Sequence, residues 1–187
     1  MKKLILFACV MGAGAALWSC NKVIDGVGVN IGMQSATVDF SIPVITTTND
    51  TSFVAFNSYL NVDSIIRANS QFSASNIKSA KLESVTVNFS NSDDVNNFGA
   101  LQSYKVLFSS DNKPDMITVA QNDNNPDDHS AQISLPVNTD QELKDYFKAT
   151  NFSYAITGRM RRATTKELSC HAVIKYKVKV GLAGKNQ

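Results

Sequence analysis

The sequence contains two histidines, and one of them directly follows a cysteine. These side chains are the ones best suited to nucleophilic or general-base chemistry. Cys170 and His171 are adjacent, which invites comparison with a catalytic Cys–His pair. They lie in a segment where apolar and polar residues alternate, so successive side chains point to opposite faces of a strand. Cys170 shares the phase of Ala172 and Ile174. We therefore expect a buried structural cysteine beside an exposed histidine.

An aspartate-rich loop carries candidate metal ligands. Asp123, Asn125 and Asp127 match the opening positions of a calcium-binding loop, whose ligands are carboxylate and amide oxygens. The sixth position is Asp128, where such a loop requires glycine, and the twelfth is Ser134, where it requires glutamate. We favour a solvated polar loop with no metal site, and weak calcium binding is the alternative.

The other sequence patterns do not indicate catalysis. The Gly-x-Ser-x-Gly pattern of serine hydrolases is absent from the sequence. The spacing of Gly26, Gly28 and Gly32 does not match a dinucleotide-binding fingerprint. No spacing singles out a pair of carboxylates for acid–base chemistry. We therefore expect a protein that is not an enzyme and binds no cofactor.

The charge balance argues against nucleic-acid binding. The chain has 18 Lys and Arg against 16 Asp and Glu. Lys2 and Lys3 belong to the leader described below, and without them the chain is formally neutral. A neutral chain lacks the broad positive field that a nucleic-acid partner requires.

Basic residues cluster at one predicted turn. Arg159, Arg161, Arg162 and Lys166 could form a patch for a ligand or an anionic partner. Tyr59 joins this candidate patch because it is the tyrosine least committed to a predicted apolar face. The alternative, which we favour, is a solvated face whose charges prevent aggregation between strand edges.

The first twenty residues have the pattern of an export signal. Lys2 and Lys3 are followed by an apolar run over residues 4–17, which is shorter than the ~20 residues that span a bilayer. The segment Leu17-Trp18-Ser19-Cys20 resembles the lipobox of bacterial lipoproteins. That resemblance implies a signal peptide over residues 1–19 and acyl chains on Cys20. Several acyl chains would anchor the protein stably in a membrane.

The cysteine count bears on disulfide bonding, and the residues after Cys20 bear on the membrane to which the protein is sorted. Cys9 lies in the leader and Cys20 is the predicted lipid site, so Cys170 alone remains and an internal disulfide is excluded. Residues 21–25 lack the acidic cluster that marks surface export in lipoproteins of Bacteroidetes-type bacteria. Asn21 is not the aspartate associated with retention in the inner membrane. By this resemblance we expect the outer membrane, with the periplasmic face favoured over the surface.

Alternating apolar residues predict strands along the rest of the chain. Residues 20–34 are predicted to be a lipidated N-terminus that is part tether and part first strand. Residues 35–182 are predicted to form a single domain, followed by a short tail over residues 183–187. The last two strands, near residues 152–160 and 170–180, are predicted to form a long antiparallel hairpin. A bulge is expected near Glu83.

Two short helices are also predicted. Asn61 can cap a helix that carries Val62, Ile65 and Ile66 on one side. Thr139 and Glu142 have the spacing of a capping box that opens a second helix. The elements together predict a mainly β fold. We expect an antiparallel β-sandwich of seven or eight strands, immunoglobulin-like or of Greek-key type, with one or two short helices.

This pattern resembles a group of small β-sandwich lipoproteins of Bacteroidetes-type bacteria. The resemblance is carried by Ile77–Val87, Leu101–Ser110, the predicted helix at Glu142–Phe147 and the terminal hairpin. It implies a β-sandwich lipoprotein and brings no catalytic residues with it.

Two functions follow as hypotheses. The first is a lipid-anchored cell-envelope protein with a structural, accessory or assembly role. Its partners would be the membrane, through the lipid on Cys20, and an unknown envelope protein. The alternative is a surface-exposed module that binds a glycan or a host protein through a pocket near Tyr59 and the Asp123 loop. The only tryptophan, Trp18, leaves with the leader, which weakens the case for stacking on a sugar.

Overall fold

The computed structural model describes residues 28–35 and 37–182. Cys20, the predicted signal peptide, the predicted tether before Gly28 and the tail from residue 183 lie outside these residues. The described ranges contain one α-helix, α1, at Val62–Asn69. They contain nine strands: β1 Gly28–Gln34, β2 Val38–Ile42, β3 Thr51–Tyr59, β4 Ile77–Phe89, β5 Leu101–Ser110, β6 Lys113–Asn122, β7 Gln132–Leu135, β8 Asn151–Met160 and β9 Leu168–Gly181.

The strands form two antiparallel sheets that pack face to face. In the first sheet β9 lies between β4 and an edge formed by β1 and β2, and β7 extends the sheet beyond β4. The second sheet has the order β3-β8-β5-β6. The predicted antiparallel β-sandwich is therefore confirmed. Among the described residues, none of the helices has the length and apolar character needed to cross a bilayer.

The strand count exceeds the predicted seven or eight because one edge of the first sheet is built from two strands. β1 pairs with the second half of β9, starting with Gly28 opposite Gly181. β2 pairs with the first half of β9 and ends with Ile42 opposite Leu168. β1 occupies the part of residues 20–34 for which a first strand is predicted.

A single apolar core fills the space between the sheets. Aromatic rings cross this space: Phe40 of β2 stacks on Phe56 of β3 with ring centroids 4.3 Å apart. Phe147 packs edge-on against Tyr176 of β9 with ring centroids 4.9 Å apart. The hydroxyl groups of Tyr154 and Tyr176 hydrogen-bond to each other across the same space. Strand alternation thus produces the core that the period-two pattern predicts.

Local features predicted from single residues are found in two places. The side chain of Asn61 accepts a hydrogen bond of 3.0 Å from the backbone N–H of Ser64, so it caps α1 as expected. The pairing of β4 with β9 shifts register between Leu82 and Ser84, which confirms the predicted bulge.

The predicted second helix is wrong. Residues 139–145 are irregular and only a 3₁₀ turn forms, at Tyr146–Lys148. The Glu142 carboxylate accepts hydrogen bonds from the Ala80 N–H at 2.8 Å and from the Ser79 hydroxyl at 2.7 Å. It therefore fastens this segment to β4 instead of closing a capping box. The hydrogen bond with Ala80, 62 residues away in the sequence, thus forms in place of the capping box that the local spacing predicts.

The predicted terminal hairpin is also wrong. β8 lies in the second sheet and β9 lies in the first, so the chain crosses the sandwich between them. The connection is fixed by Thr164, which is buried. Its N–H donates to the carbonyl of Ile45 at 3.0 Å, and its hydroxyl oxygen accepts from the Ile45 N–H at 2.8 Å. Alternation predicts strands, but it does not distinguish a hairpin from a crossover between sheets.

Candidate functional site

Three loops meet at one end of the sandwich. They are residues 90–100 between β4 and β5, residues 123–131 between β6 and β7, and residues 161–167 between β8 and β9. We call them the distal loops, because Gly28 lies at the opposite end of β9. β9 runs from Leu168, beside these loops, to Gly181, which pairs with Gly28. Fourteen residues of strand separate the two ends by roughly 40 Å.

Two arginines of the predicted patch hold the distal loops together. Arg161 donates to the carbonyl oxygen of Gly99 and, at 2.6 Å, to that of Asn125. Arg162 forms an ion pair of 2.7 Å with Asp127. The hydrogen bond from Arg162 holds the pKa of Asp127 below its usual range. Both guanidinium groups are thus engaged within the molecule.

Lys166 has a similar partner in the loop between β4 and β5. Its ammonium group lies 2.6 Å from the Asp93 carboxylate, which also accepts from the backbone N–H of Asn96 at 2.8 Å. The Lys166 contact, followed by the Asn96 hydrogen bonds, holds the pKa of Asp93 well below its usual range. The side chain of Asn96 in turn accepts from the Thr165 N–H at 2.8 Å. This network fixes two of the distal loops to each other.

The other members of the predicted patch lie elsewhere. Arg159 is paired with Asp50 at 3.4 Å on the exposed side of the second sheet. Tyr59 is exposed and pairs with Asn151 at the far end of β8, nine residues from Met160. The structure therefore does not bring Tyr59 to the arginines. A patch for a ligand or partner at these residues stays a prediction.

The candidate calcium ligands have separate roles. The Asp123 carboxylate accepts from the side chain of Gln121, and Asp127 pairs with Arg162. Asn125 is buried and turned inward. Within the described ranges, no group of three His, Cys, Asp or Glu side chains is placed to hold a metal ion.

The side chain of Asn125 is fixed by its neighbours. Its amide nitrogen donates to the carbonyl oxygens of Phe98 at 2.8 Å and Leu101 at 3.0 Å. Carbonyl oxygens only accept hydrogen bonds, so the orientation of the amide is determined. Its backbone N–H donates to the Gln102 carbonyl at 2.9 Å. The side-chain oxygen Oδ1 is buried and has no hydrogen-bond partner among the described residues.

Asn125 is among the residues that line a cavity of about 240 Å³. Tyr104 of β5 also lines it, and the Tyr104 hydroxyl is the second buried side-chain polar atom of the described chain that lacks a partner. Burial raises the pKa of Tyr104, and a contact with Asn122 opposes that effect. The apolar part of the wall comes from Phe98, Pro126, Ile133 and Pro136.

A larger groove of about 480 Å³ is also lined by Tyr104. It lies over the outer face of the second sheet, where Lys105 pairs with Thr157. Asp50 and Asp123 line it as well, so its wall carries charges of both signs. The hydroxyl that lacks a partner therefore belongs to a residue that borders both spaces.

The Cys170–His171 pair is arranged as the strand pattern predicts. Cys170 is 1% exposed, and burial raises the pKa of its thiol to about 12. His171 lies on the opposite face, where Nδ1 is 2.6 Å from the Asp39 carboxylate. The thiol therefore stays protonated and is separated from the imidazole, which excludes a catalytic dyad at this position.

Arg161→Met is expected to lower the free energy of unfolding by about 2 kcal/mol, because two loop carbonyls lose a charged donor. Arg159→Met is the matched control, and its exposed ion pair predicts a loss below about 0.5 kcal/mol. Urea unfolding measures both losses. Amide hydrogen exchange should also accelerate over residues 97–101 and 123–128 in Arg161→Met alone. Equal losses in the two variants would contradict this role for Arg161.

The burial of several residues in the distal loops could not be predicted from the sequence. Asn96, Asn97 and Asn125 are nearly fully buried, although asparagine in a polar segment is typical of exposed turns. Each of them also has a partner in another loop, up to 69 residues away. Tyr104 is buried in the core, but no sequence signal shows that its hydroxyl lacks a partner.

Comparison with known proteins identifies no family. No family model matches the chain, and no curated protein matches it. Among solved structures, the chain is similar to "Structure of infectious bursal disease virus Gt strain" at 13% identity and a TM-score of 0.39, covering 83% of this chain and 34% of that one. It is similar to the Gx strain of that virus at 10% identity, with a TM-score of 0.30, covering 84% and 37%. A chain of desmodium yellow mottle tymovirus matches at 11% identity and a TM-score of 0.25, covering 84% and 93%. The chain thus spans about a third of the length of the two bursal disease virus chains, and its β-sandwich fold is established by its own strands.

Proposed function

We propose that this chain is a lipid-anchored cell-envelope protein with a non-enzymatic structural, accessory or assembly role. The observation that carries the proposal is the sequence Leu17-Trp18-Ser19-Cys20 after a basic and apolar leader. Acyl chains on Cys20 would attach the sandwich to the outer membrane, and the periplasmic face is favoured over the surface.

The geometry of the described chain supports this arrangement. Residues 21–27 separate Cys20 from β1 and reach at most roughly 25 Å when extended. The Gly28 end of the sandwich would therefore stay close to the membrane. The distal loops would project away from it, because β9 extends between the two ends. A partner in the envelope would meet these loops first.

A binding module is the second candidate function. The cavity beside Tyr104 and Asn125 favours it, because a pocket near the Asp123 loop is the feature expected of such a module. An anchored module and an anchored accessory protein share the same attachment. They differ in whether the distal end holds a small ligand.

The experiment that tests the anchor compares wild-type protein with Cys20→Ala in fractionated cells. We expect wild-type protein in the membrane fraction and the variant in the soluble fraction of the envelope, because several acyl chains anchor stably where none remain in the variant. Protease treatment of intact cells then locates the domain. Protection until lysis supports the periplasmic face, whereas digestion on intact cells would contradict it.

A further inference from the structure

We propose that one corner of the sandwich, at its Gly28 end, binds the phosphate headgroups of anionic lipids in the membrane that holds the chain. This inference deepens the proposed function and rests on it, because the anchor on Cys20 is what brings a bilayer to this end. The corner lies where the outer face of the first sheet meets the loop between β7 and β8. Its lysines outnumber its carboxylates, whereas the distal loops have an excess of negative charge.

A row of lysines lies on the outer face of the first sheet. Lys175, Lys177 and Lys179 are exposed and alternate along β9 with buried residues, so their Cα atoms lie roughly 7 Å apart. Lys81 of β4 is directly opposite Lys177. Like charges opposite each other in adjacent strands destabilise a sheet. β9 has a neighbouring strand on both sides, so this row does not serve to protect a sheet edge.

Three further lysines surround the first residue of β4. Lys144 and Lys148 line a groove of about 380 Å³, whose other lining residues are Ala74, Ser75 and Ile77. Lys78 is exposed and directly follows Ile77. Ile77 pairs with β9 one position from the residue that is opposite Gly28. These three lysines and the row of four form what we call the basic corner.

The carboxylates near the basic corner do not neutralise it. Four of them adjoin the seven lysines: Glu83, Asp140, Glu142 and Asp145. Asp145 lies 3.1 Å from Lys148, and Asp140 lies 3.7 Å from Lys81. Within the described chain, the three lysines of the β9 row form no ion pair. The row therefore remains available to an anionic partner.

The two ends of the sandwich carry opposite charge. The distal loops contain six Asp and Glu residues against three Lys and Arg residues. The rest of the Gly28 end is close to neutral, since Arg67 is paired with Asp63 at 2.6 Å and Lys113 lies between Asp111 and Asp115 in the sequence. An anionic surface would therefore attract the basic corner and repel the distal loops.

The short connection to Cys20 makes a lipid surface the occupant of the basic corner. Residues 21–27 reach at most roughly 25 Å, so the anchor keeps Gly28 near the headgroups. The Lys179 side chain lies along Gly28, where a Cβ atom would be 2.7 Å from Lys179 Cε. A lysine close to an anionic bilayer strengthens binding roughly fivefold. The basic corner thus adds an electrostatic contact to the acyl chains.

The test measures lysine acetylation in the mature protein after reconstitution into lipid nanodiscs. One set of discs contains phosphatidylcholine alone, and the other contains equal parts of phosphatidylcholine and phosphatidylglycerol. We expect Lys175, Lys177 and Lys179 to be acetylated about threefold more slowly in the anionic discs, and the protection to disappear at high salt. Lys105, exposed on the second sheet, should react equally in both. Mass spectrometry of peptides gives the rate at each lysine.

The decisive variant combines Lys175→Gln and Lys177→Gln. We expect Lys179 to lose its protection in anionic discs, while urea unfolding shows unchanged or higher stability because Lys81 no longer faces a like charge. The matched control combines Lys105→Gln and Lys113→Gln on the second sheet and should keep the protection.

Two failures are distinguishable. Protein that enters neither kind of disc would overturn the anchor and this inference with it. Protein that enters both discs with equal lysine rates would overturn this inference alone, and an acidic protein would then be the occupant to examine. Full protection of Lys179 in the double variant would also overturn it.

Discussion

Gly158→Ala is expected to destabilise the protein by about 3 kcal/mol or more, a large share of the stability of a single domain. Gly158 lies in β8, the strand between β3 and β5, opposite Tyr104. Its φ of +156° belongs to a region that residues with a side chain rarely adopt. A Cβ atom there would lie 2.1 Å from the Ser103 carbonyl oxygen and 2.7 Å from the Tyr104 Cα.

The clash in Gly158→Ala involves backbone atoms of a paired strand, so no side chain can move aside to relieve it. β5 would have to shift away from β8, at a cost of about 1–3 kcal/mol or more for overpacking in addition to the backbone strain. Gly32→Ala is the matched control, because a Cβ at that strand position meets no atom within 4 Å. Urea unfolding followed by circular dichroism measures both. A loss below about 1 kcal/mol in Gly158→Ala would show that the β5–β8 contact is not tight.

Raising the pH above 10 is expected to unfold the protein through its buried tyrosines. Burial raises the pKa of Tyr154 to about 12 and that of Tyr176 well above 10. Both groups hold their protons more tightly in the folded chain than in the unfolded one. Their contribution to stability is therefore complete below pH 10 and is lost as pH rises through the folded pKa. Tyr154 alone accounts for roughly 2–3 kcal/mol of this loss.

Absorbance at 295 nm and circular dichroism, recorded together during an alkaline titration, measure this effect. We expect Tyr154 and Tyr176 to ionise only as the sandwich unfolds. The double variant Tyr154→Phe, Tyr176→Phe removes both partners of the hydroxyl pair, so its stability at pH 7 should change by less than about 1 kcal/mol. It should also lose less stability between pH 10 and 12. The same alkaline loss in the double variant would contradict the assignment to this pair.

The β-sandwich can be predicted because strand alternation is a local property. Val85, Val87 and Phe89 alternate with polar neighbours, and burial follows that phase in β4. The cap at Asn61 and the bulge before Ser84 also depend on a few adjacent residues. A helix cap and a bulge are determined by interactions within one helical turn or one pair of strands.

The features that the sequence does not predict depend on distant partners. Glu142 has the spacing of a capping box, yet its carboxylate binds the β4 backbone at Ala80. The predicted hairpin of β8 and β9 separates into two sheets because Thr164 is bonded to Ile45, 119 residues away. The cavity is lined by Tyr104 of β5 and by Asn125 of a distal loop, which lie on different elements of the chain. Local patterns contain no information about these contacts.

The most direct test of the proposed function is the mass of the N-terminal peptide of the mature protein. Wild-type protein and the Cys20→Ala variant are each purified from the cell fraction in which they are found. The N-terminal peptide of each protein is then analysed by mass spectrometry. We predict that the wild-type peptide begins at Cys20 and carries acyl chains, and that Cys20→Ala yields no acylated peptide. A wild-type peptide that begins elsewhere, or that begins at Cys20 with a free thiol, would contradict the proposed lipid anchor.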